Sequence, residues 1–225
     1  MDENLQKINR SINKDRHIDK AIKQYWGLRL IKQDPWECLI SYICATYKSI
    51  AAIKRMLNSL AERYGEKQEL DGFKFYTFPS YQSLAAASEV DLASCGLGYR
   101  SKYVLETSKR ISREDFNLED LRRTPYFEAK RILMNFPGVG SKVADCVLLF
   151  SLGKNEAFPV DIWIKRVLMN HYREKLPSGL VRRLLERDAL STSDYRQLNG
   201  FGIDYFGEYA GWAQEYLYHY ERITI

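Results

Sequence analysis

Apolar positions along the chain recur at helical spacing far more than they alternate, and capping residues punctuate them. Asp34-Pro35 supplies an N-cap and a first helical residue ahead of WECLISYICAT. Ser49 caps the helix over SIAAIKRMLNSLAERYG, and Gly65 stops it. Pro79-Ser80 starts a short helix, Ser88 caps SEVDLASCG as far as Gly96, residues 101–112 form another, and Thr124-Pro125 opens PYFEAKRILMN. After the turn Phe136-Pro137-Gly138-Val139-Gly140, SKVADCVLLFSLG has helical apolar spacing. Asp161 leads IWIKRVLMNHY, and a last long stretch covers about 203–222. Alternating aromatics occur only within residues 66–78, too few to build a sheet.

This pattern predicts an all-α chain of many short helices. Residues 1–17 are polar and read as disordered or weakly helical. No Gly/Ser- or Pro-rich linker divides residues 18–225, which read as one unit with two helical subdomains flanking a cleft. A helix-hairpin-helix falls at about 124–153.

Composition narrows the class without fixing it. With 45% hydrophobic and 28% charged residues over 225 positions, the chain has enough apolar side chain for a core and too much for disorder. A net charge of +5 leans toward an anionic partner, although many metabolic enzymes are this basic. Cys38, Cys44, Cys95 and Cys146 form no C-x-x-C pair, and no Cys/His group has zinc spacing, so no metal site is expected. No apolar run spans a membrane and the N-terminus lacks a signal-peptide core. Both observations point to the cell interior, with reduced cysteines.

The hairpin carries the candidate chemistry. Gly138 and Gly140 permit a tight turn and close backbone approach, and the turn with the first helical turn after it aims N–H groups at a phosphate oxygen. That is a sequence-independent grip on DNA; a plain αα-turn with glycine caps fits P-G-V-G equally well. Lys142 lies one residue into the second helix, with Cys146 at i+4 on the same face. Asp161, at a helix N-terminus after Pro159-Val160, is placed to stay ionised. A lysine beside a DNA grip, with a fixed carboxylate, is a nucleophile candidate; phosphate contact or a surface ion pair is the commoner use of such a lysine.

GVGSKVADC followed by FPVDIWI closely resembles the 8-oxoguanine DNA glycosylase/lyases of the helix-hairpin-helix glycosylase superfamily. The likeness continues through GLRLIKQDP (27–35), GLGYR (96–100) and YAGWAQ (209–214), four ordered segments in all. It implies that Lys142 is the nucleophile, Asp161 the catalytic aspartate, and Cys146, Gln214 and Tyr218 the lining of a base pocket. Gly138, Val139, Gly140, Arg100 and Lys102 are then DNA contacts, and Tyr99 is the wedge at the intercalating loop. Gln214 and Tyr218 form a second i,i+4 pair, although packing in the aromatic-rich YLYHY also accounts for Tyr218.

The resemblance further implies double-stranded DNA containing 8-oxoguanine as substrate, no cofactor, and action as a monomer. Only 26 residues precede Gly27, which implies a compact form without the family's β-rich N-terminal domain. Where the family reads the orphaned base with asparagine and arginine, this chain has Tyr47, Lys48 and Ala52, and Trp163 replaces the family's histidine near the aspartate. Two rival functions stay open: a glycosylase for alkylated or other damaged bases, and a helix-hairpin-helix DNA-binding protein without chemistry.

Overall fold

A computed structural model describes residues 4–114, 116–187 and 189–224. The chain divides into two compact units: residues 33–143, and residues up to Lys32 together with those from Ala144 onward.

In chain order the first helices are α1 (Leu5–Ile12), α2 (Arg16–Gln24), α3 (Pro35–Ala45) and α4 (Ile50–Tyr64). After the strands β1 (Lys67–Leu70) and β2 (Phe73–Tyr76) come α5 (Tyr81–Ala86), α6 (Glu89–Leu92), α7 (Arg100–Glu114) and α8 (Tyr126–Leu133). The remainder is α9 (Ser141–Phe150), α10 (Ile162–His171), α11 (Ser178–Glu186), α12 (Thr192–Phe206) and α13 (Ala210–Thr224). The all-α expectation holds, and the capping signals are where the helices start. The side chains of Asp34, Ser49, Ser80, Ser88 and Asp161 each accept a backbone N–H three residues on.

In the 33–143 unit, α3 buries Cys38, Leu39, Ile40, Ile43 and Cys44. The Trp36 indole N–H donates to the Pro79 carbonyl at 2.8 Å, tying α3 to the start of α5. β1 and β2 pair antiparallel, Lys67 opposite Tyr76 and Leu70 opposite Phe73. Both turn residues, Asp71 and Gly72, have positive φ, as a two-residue I′ turn requires. Every residue of the two strands is exposed, so they form a ribbon and not a core layer.

In the other unit, α1, α2, α10, α12 and α13 enclose a core containing Ile8, Ile12, Ile18, Phe158, Leu168, Trp212 and Tyr216. Residues 1–17 therefore do more than their polar composition suggests. Asn4 caps α1, and Leu5, Ile8 and Ile12 share its buried face at i, i+3 and i+7. Asp15 caps α2 and also accepts the Tyr205 hydroxyl at 3.1 Å. The expected single helix over about 203–222 is instead two. Gly207, at φ +75°, breaks the chain after α12, and the last helix restarts at Ala210.

Gly202 marks a tight helix contact in this core. A Cβ there would sit 2.3–2.5 Å from ring carbons of the fully buried Phe158. Gly202→Ala is expected to destabilise the protein by about 1–3 kcal/mol through forced repacking. Chemical denaturation measures it; a change below about 0.5 kcal/mol would show that the Phe158 ring has room to swing away.

Candidate nucleic-acid and base-recognition site

The hairpin is built as its glycines suggest. α8 ends at Leu133, the chain turns through Phe136–Gly140, and α9 begins at Ser141. Gly138 has φ +77°, and a Cβ on it would lie 2.7 Å from the Tyr103 ring, so the turn and α7 fit only with glycine here. The Val139 amide donates to the Phe136 carbonyl at 3.1 Å, and the Val139 side chain is buried. Val139 is thus the turn's internal anchor, and its N–H is not an outward donor.

Beside the hairpin lies an open hollow of about 500 Å³, lined by Tyr47, Tyr99, Tyr103, Gly138, Val139 and Gly140 among others. Structure therefore brings together three groups that are far apart in sequence: the loop after α3, the GLGYR loop and the hairpin. Tyr47 is 93% exposed and has φ +55°, uncommon for a residue with a side chain. Tyr99 is also exposed, and Lys48 and Lys102 project to solvent, Lys102 with Glu106 at 3.8 Å.

Arg100 departs from its expected role. It is 3% exposed, its guanidinium donates to the carbonyls of Thr46 and Leu97, and it lies 4.3 Å from the Tyr99 ring centroid. In place of a phosphate contact, it is an internal strut holding the Tyr47 loop and the Tyr99 loop at one spacing. The five-donor fork suits carbonyls from two segments, whereas a lysine would reach one.

Lys142 sits in the first turn of α9 and is half-buried. Its ammonium lies over the face of Tyr42, 5.0 Å from the ring centroid. Tyr42 was not among the residues singled out in the sequence; its place on α3 gives no local sign of this contact.

The remaining candidates belong to the other unit. Cys146, one turn further along α9, is buried. Asp161 caps α10, its carboxylate accepting the Ile164 N–H at 2.8 Å. Gln214, in α13, is 4% exposed, and its side-chain carbonyl oxygen is buried without a hydrogen-bond partner. Such an orphaned acceptor carries a penalty of about 1–3 kcal/mol until something donates to it. Tyr218, a turn later, is partly buried against the core and its hydroxyl accepts from Arg222 at 2.9 Å.

Asp145, between Lys142 and Cys146, is fully buried. Its carboxylate accepts the Tyr195 hydroxyl at 2.6 Å and the Asn199 amide at 3.2 Å, both from α12. Asn199 also donates to the Phe158 carbonyl at 2.8 Å, and the Val160 N–H donates to the Tyr195 hydroxyl at 3.5 Å. Burial first, then the adjacent carboxylate, hold the Tyr195 hydroxyl pKa well above its usual value, so it remains a donor. This network fixes the backbone leading into Asp161. No local pattern in the sequence marks Asp145, because these partners lie some fifty residues away.

A glycine-turned hairpin opening a helix with a lysine in its first turn defines a helix-hairpin-helix protein. The model described as HhH-GPD superfamily base excision DNA repair protein matches residues 40–187, and the chain belongs to that superfamily. The model described as 8-oxoguanine DNA glycosylase, N-terminal domain matches residues 1–39, the segment whose described part forms α1, α2 and the start of α3. The N-glycosylase/DNA lyase OGG1 of Arabidopsis thaliana is 33% identical over 209 residues, covering 91% of this chain and 55% of that protein. The N-glycosylase/DNA lyase of Saccharomyces cerevisiae is 32% identical over 216 residues, covering 87% and 57%. The chain thus spans little more than half the length of these two relatives. A solved structure of Clostridium acetobutylicum 8-oxoguanine glycosylase/lyase, in complex with dsDNA containing cytosine opposite 8-oxoG, superposes with a TM-score of 0.86. It shares 33% identity and covers 99% of this chain and 71% of the other.

Tyr195→Phe is expected to lower the unfolding free energy by about 1–3 kcal/mol, by leaving Asp145 short of a donor and the Val160 N–H unpaired. Urea unfolding measures it. An unchanged midpoint would mean that the remaining contacts of Asp145 satisfy it alone.

Proposed function

We propose that this protein is a bifunctional DNA glycosylase with β-lyase activity that excises 8-oxoguanine from duplex DNA. The observation that carries the reading is Lys142: a half-buried amine in the first turn of the hairpin helix, held on an aromatic face. The match of surrounding segments to proteins named as glycosylase/lyases supports it.

A base stacked in a duplex is out of reach of a side chain on a protein helix, so the nucleotide must leave the stack. Lys142 Nζ, as the neutral amine, attacks C1′ of the deoxyribose; the C1′–N9 bond breaks and the base departs with the electron pair. Asp161 stabilises the positive charge developing on the sugar. The lysine nitrogen gives up a proton as the C1′–O4′ bond breaks and O4′ takes the electron pair and a proton, which opens the sugar and leaves a Schiff base between the lysine and C1′; loss of a C2′ proton then expels the 3′ phosphate with its electron pair. No cofactor is needed for these steps. Gln214 accepts a hydrogen bond from a donor on the purine's Watson–Crick edge, with Cys146 and Tyr218 on the two faces of the ring. Gly138, Gly140, Lys48 and Lys102 grip phosphates. Tyr99 and Tyr47 fill or prop the stack near the flipped base. The protein acts on DNA inside the cell, as a monomer.

Borohydride trapping on a duplex with one 8-oxoguanine tests the nucleophile. The native protein is expected to give a covalent adduct. Lys142→Gln loses the adduct, base release and strand cleavage while still binding the duplex. A persisting adduct in that variant would assign the chemistry to another amine, and no adduct with the native protein would favour a glycosylase that activates water.

The groups near the orphaned base lead to a second expectation. Reading cytosine requires fixed donors aimed at its acceptor edge, and unpaired donors penalise other bases. Tyr47 offers a ring and one hydroxyl, Ala52 offers nothing, and the Arg100 guanidinium is already given to backbone carbonyls. Single-turnover rates for 8-oxoguanine opposite C, T, G and A are therefore expected within about tenfold, equivalent to roughly 1.4 kcal/mol. A cytosine preference of two orders of magnitude would place a reader elsewhere in the chain.

A further inference from the structure

Three metal-capable side chains converge at the end of α10 opposite Asp161. His17 is in the first turn of α2, His171 is the last residue of α10, and Glu221 is in the last turn of α13. One ligand atom from each lies within 4.8 Å of the other two. His171 Nε2 is 3.5 Å from a Glu221 carboxylate oxygen, and the two imidazoles stack with centroids 3.6 Å apart. The second Glu221 oxygen accepts the Asn170 side-chain amide at 3.2 Å, orienting a carboxylate that is itself buried.

An independent observation points to a ligand. His17 Nε2 is buried and has no hydrogen-bond partner. A buried imidazole nitrogen without a partner is destabilising unless an acceptor, donor or cation reaches it.

We propose that His17, His171 and Glu221 form a binding site for a zinc-like divalent transition-metal ion, with water as fourth ligand, clamping α2, α10 and α13 together. Two imidazoles and one carboxylate are a donor set that such borderline ions take, and three protein ligands leave one position for water. Metal–ligand bonds of about 2.0–2.2 Å in a tetrahedron put donor atoms about 3.3–3.5 Å apart. The His171–Glu221 pair already has that spacing. The lone pairs of the ring nitrogens lie in the ring planes, so sharing one ion requires the two stacked imidazoles to turn toward it, and His171, 36% exposed, is the ring with room to move.

Electrostatics favour the ligand form. Burial, then the neighbouring His171, lower the His17 pKa to about 4, with Lys20 acting in the same direction and Asp15 and Glu221 against it. His17 is therefore neutral at pH 7, and no proton has to leave it before a metal binds. Glu221 brings the compensating negative charge. The three residues are scattered along the chain, so no local spacing marks them in the sequence.

The test uses the full chain, stripped with a chelator and dialysed. Zinc titration against a chromophoric chelator is expected to show one equivalent bound at micromolar affinity or tighter, with a higher thermal midpoint. Cobalt(II) is expected to give visible bands of tetrahedral N/O coordination. His171→Ala, which alters only a partly exposed side chain, and Glu221→Gln each weaken binding by about 100-fold. His219→Ala, which removes a histidine paired with Glu215 outside the cluster, leaves it unchanged. Unchanged affinity in His171→Ala, thiolate charge-transfer bands from the cysteines, or no binding at all would each overturn the proposal.

Discussion

Much of the site-bearing architecture depends on one buried carboxylate. Asp145 is fully buried, and Tyr195 and Asn199 both donate to its carboxylate. Both donors come from α12, so satisfying this one charge fixes the approach of α9 to α12. The same two side chains reach the Phe158 carbonyl and the Val160 N–H, backbone groups that would otherwise be buried without partners in a segment outside any helix. Asp161 follows directly and starts α10. The aspartate that caps that helix is therefore placed by hydrogen bonding from a neighbouring core, and not by its own loop alone.

The two units carry different kinds of recognition surface. Residues 33–143 present exposed aromatic rings and a glycine turn around an open hollow, groups that tolerate any base face and any sequence. The other unit holds on Gln214 a buried amide oxygen without a hydrogen-bond partner. An acceptor that gains a donor only from a ligand discriminates strongly, because a wrong ligand leaves the desolvation penalty in place. In the proposed function, weak, general grip and sharp chemical selection therefore fall to different parts of the chain.

The sequence made the local features legible and left the long-range ones hidden. Helix starts at Asp34, Ser49, Ser80, Ser88 and Asp161 were readable because a cap and the amide it binds are three residues apart. The turn at 136–140 and the Lys142/Cys146 face were readable for the same reason. α1 was legible in principle: Leu5, Ile8 and Ile12 have helical spacing, but surrounding charges outweighed three apolar residues. The break at Gly207 was missed because glycine inside an apolar helical pattern is tolerated as often as it terminates one. Tyr42 under Lys142, and the donors to Asp145, depend on pairings that no local pattern encodes.

Arg100 shows why charge alone is a poor guide to a nucleic-acid contact. In the sequence it stands in GYRSK beside Lys102, and the two look interchangeable as phosphate ligands. Their surroundings separate them. The arginine's planar fork is buried against carbonyls from two loops and the face of Tyr99, while the lysine points to water. Its two terminal nitrogens donate to carbonyls on separate loops, so the guanidinium ties both loops together. That tie gives a physical basis for Tyr47 holding a positive φ: the Thr46 carbonyl just before it is an Arg100 acceptor, and the strained residue is over-determined by its neighbour. The guanidinium at this position thus sets the spacing of the two tyrosine loops that it joins.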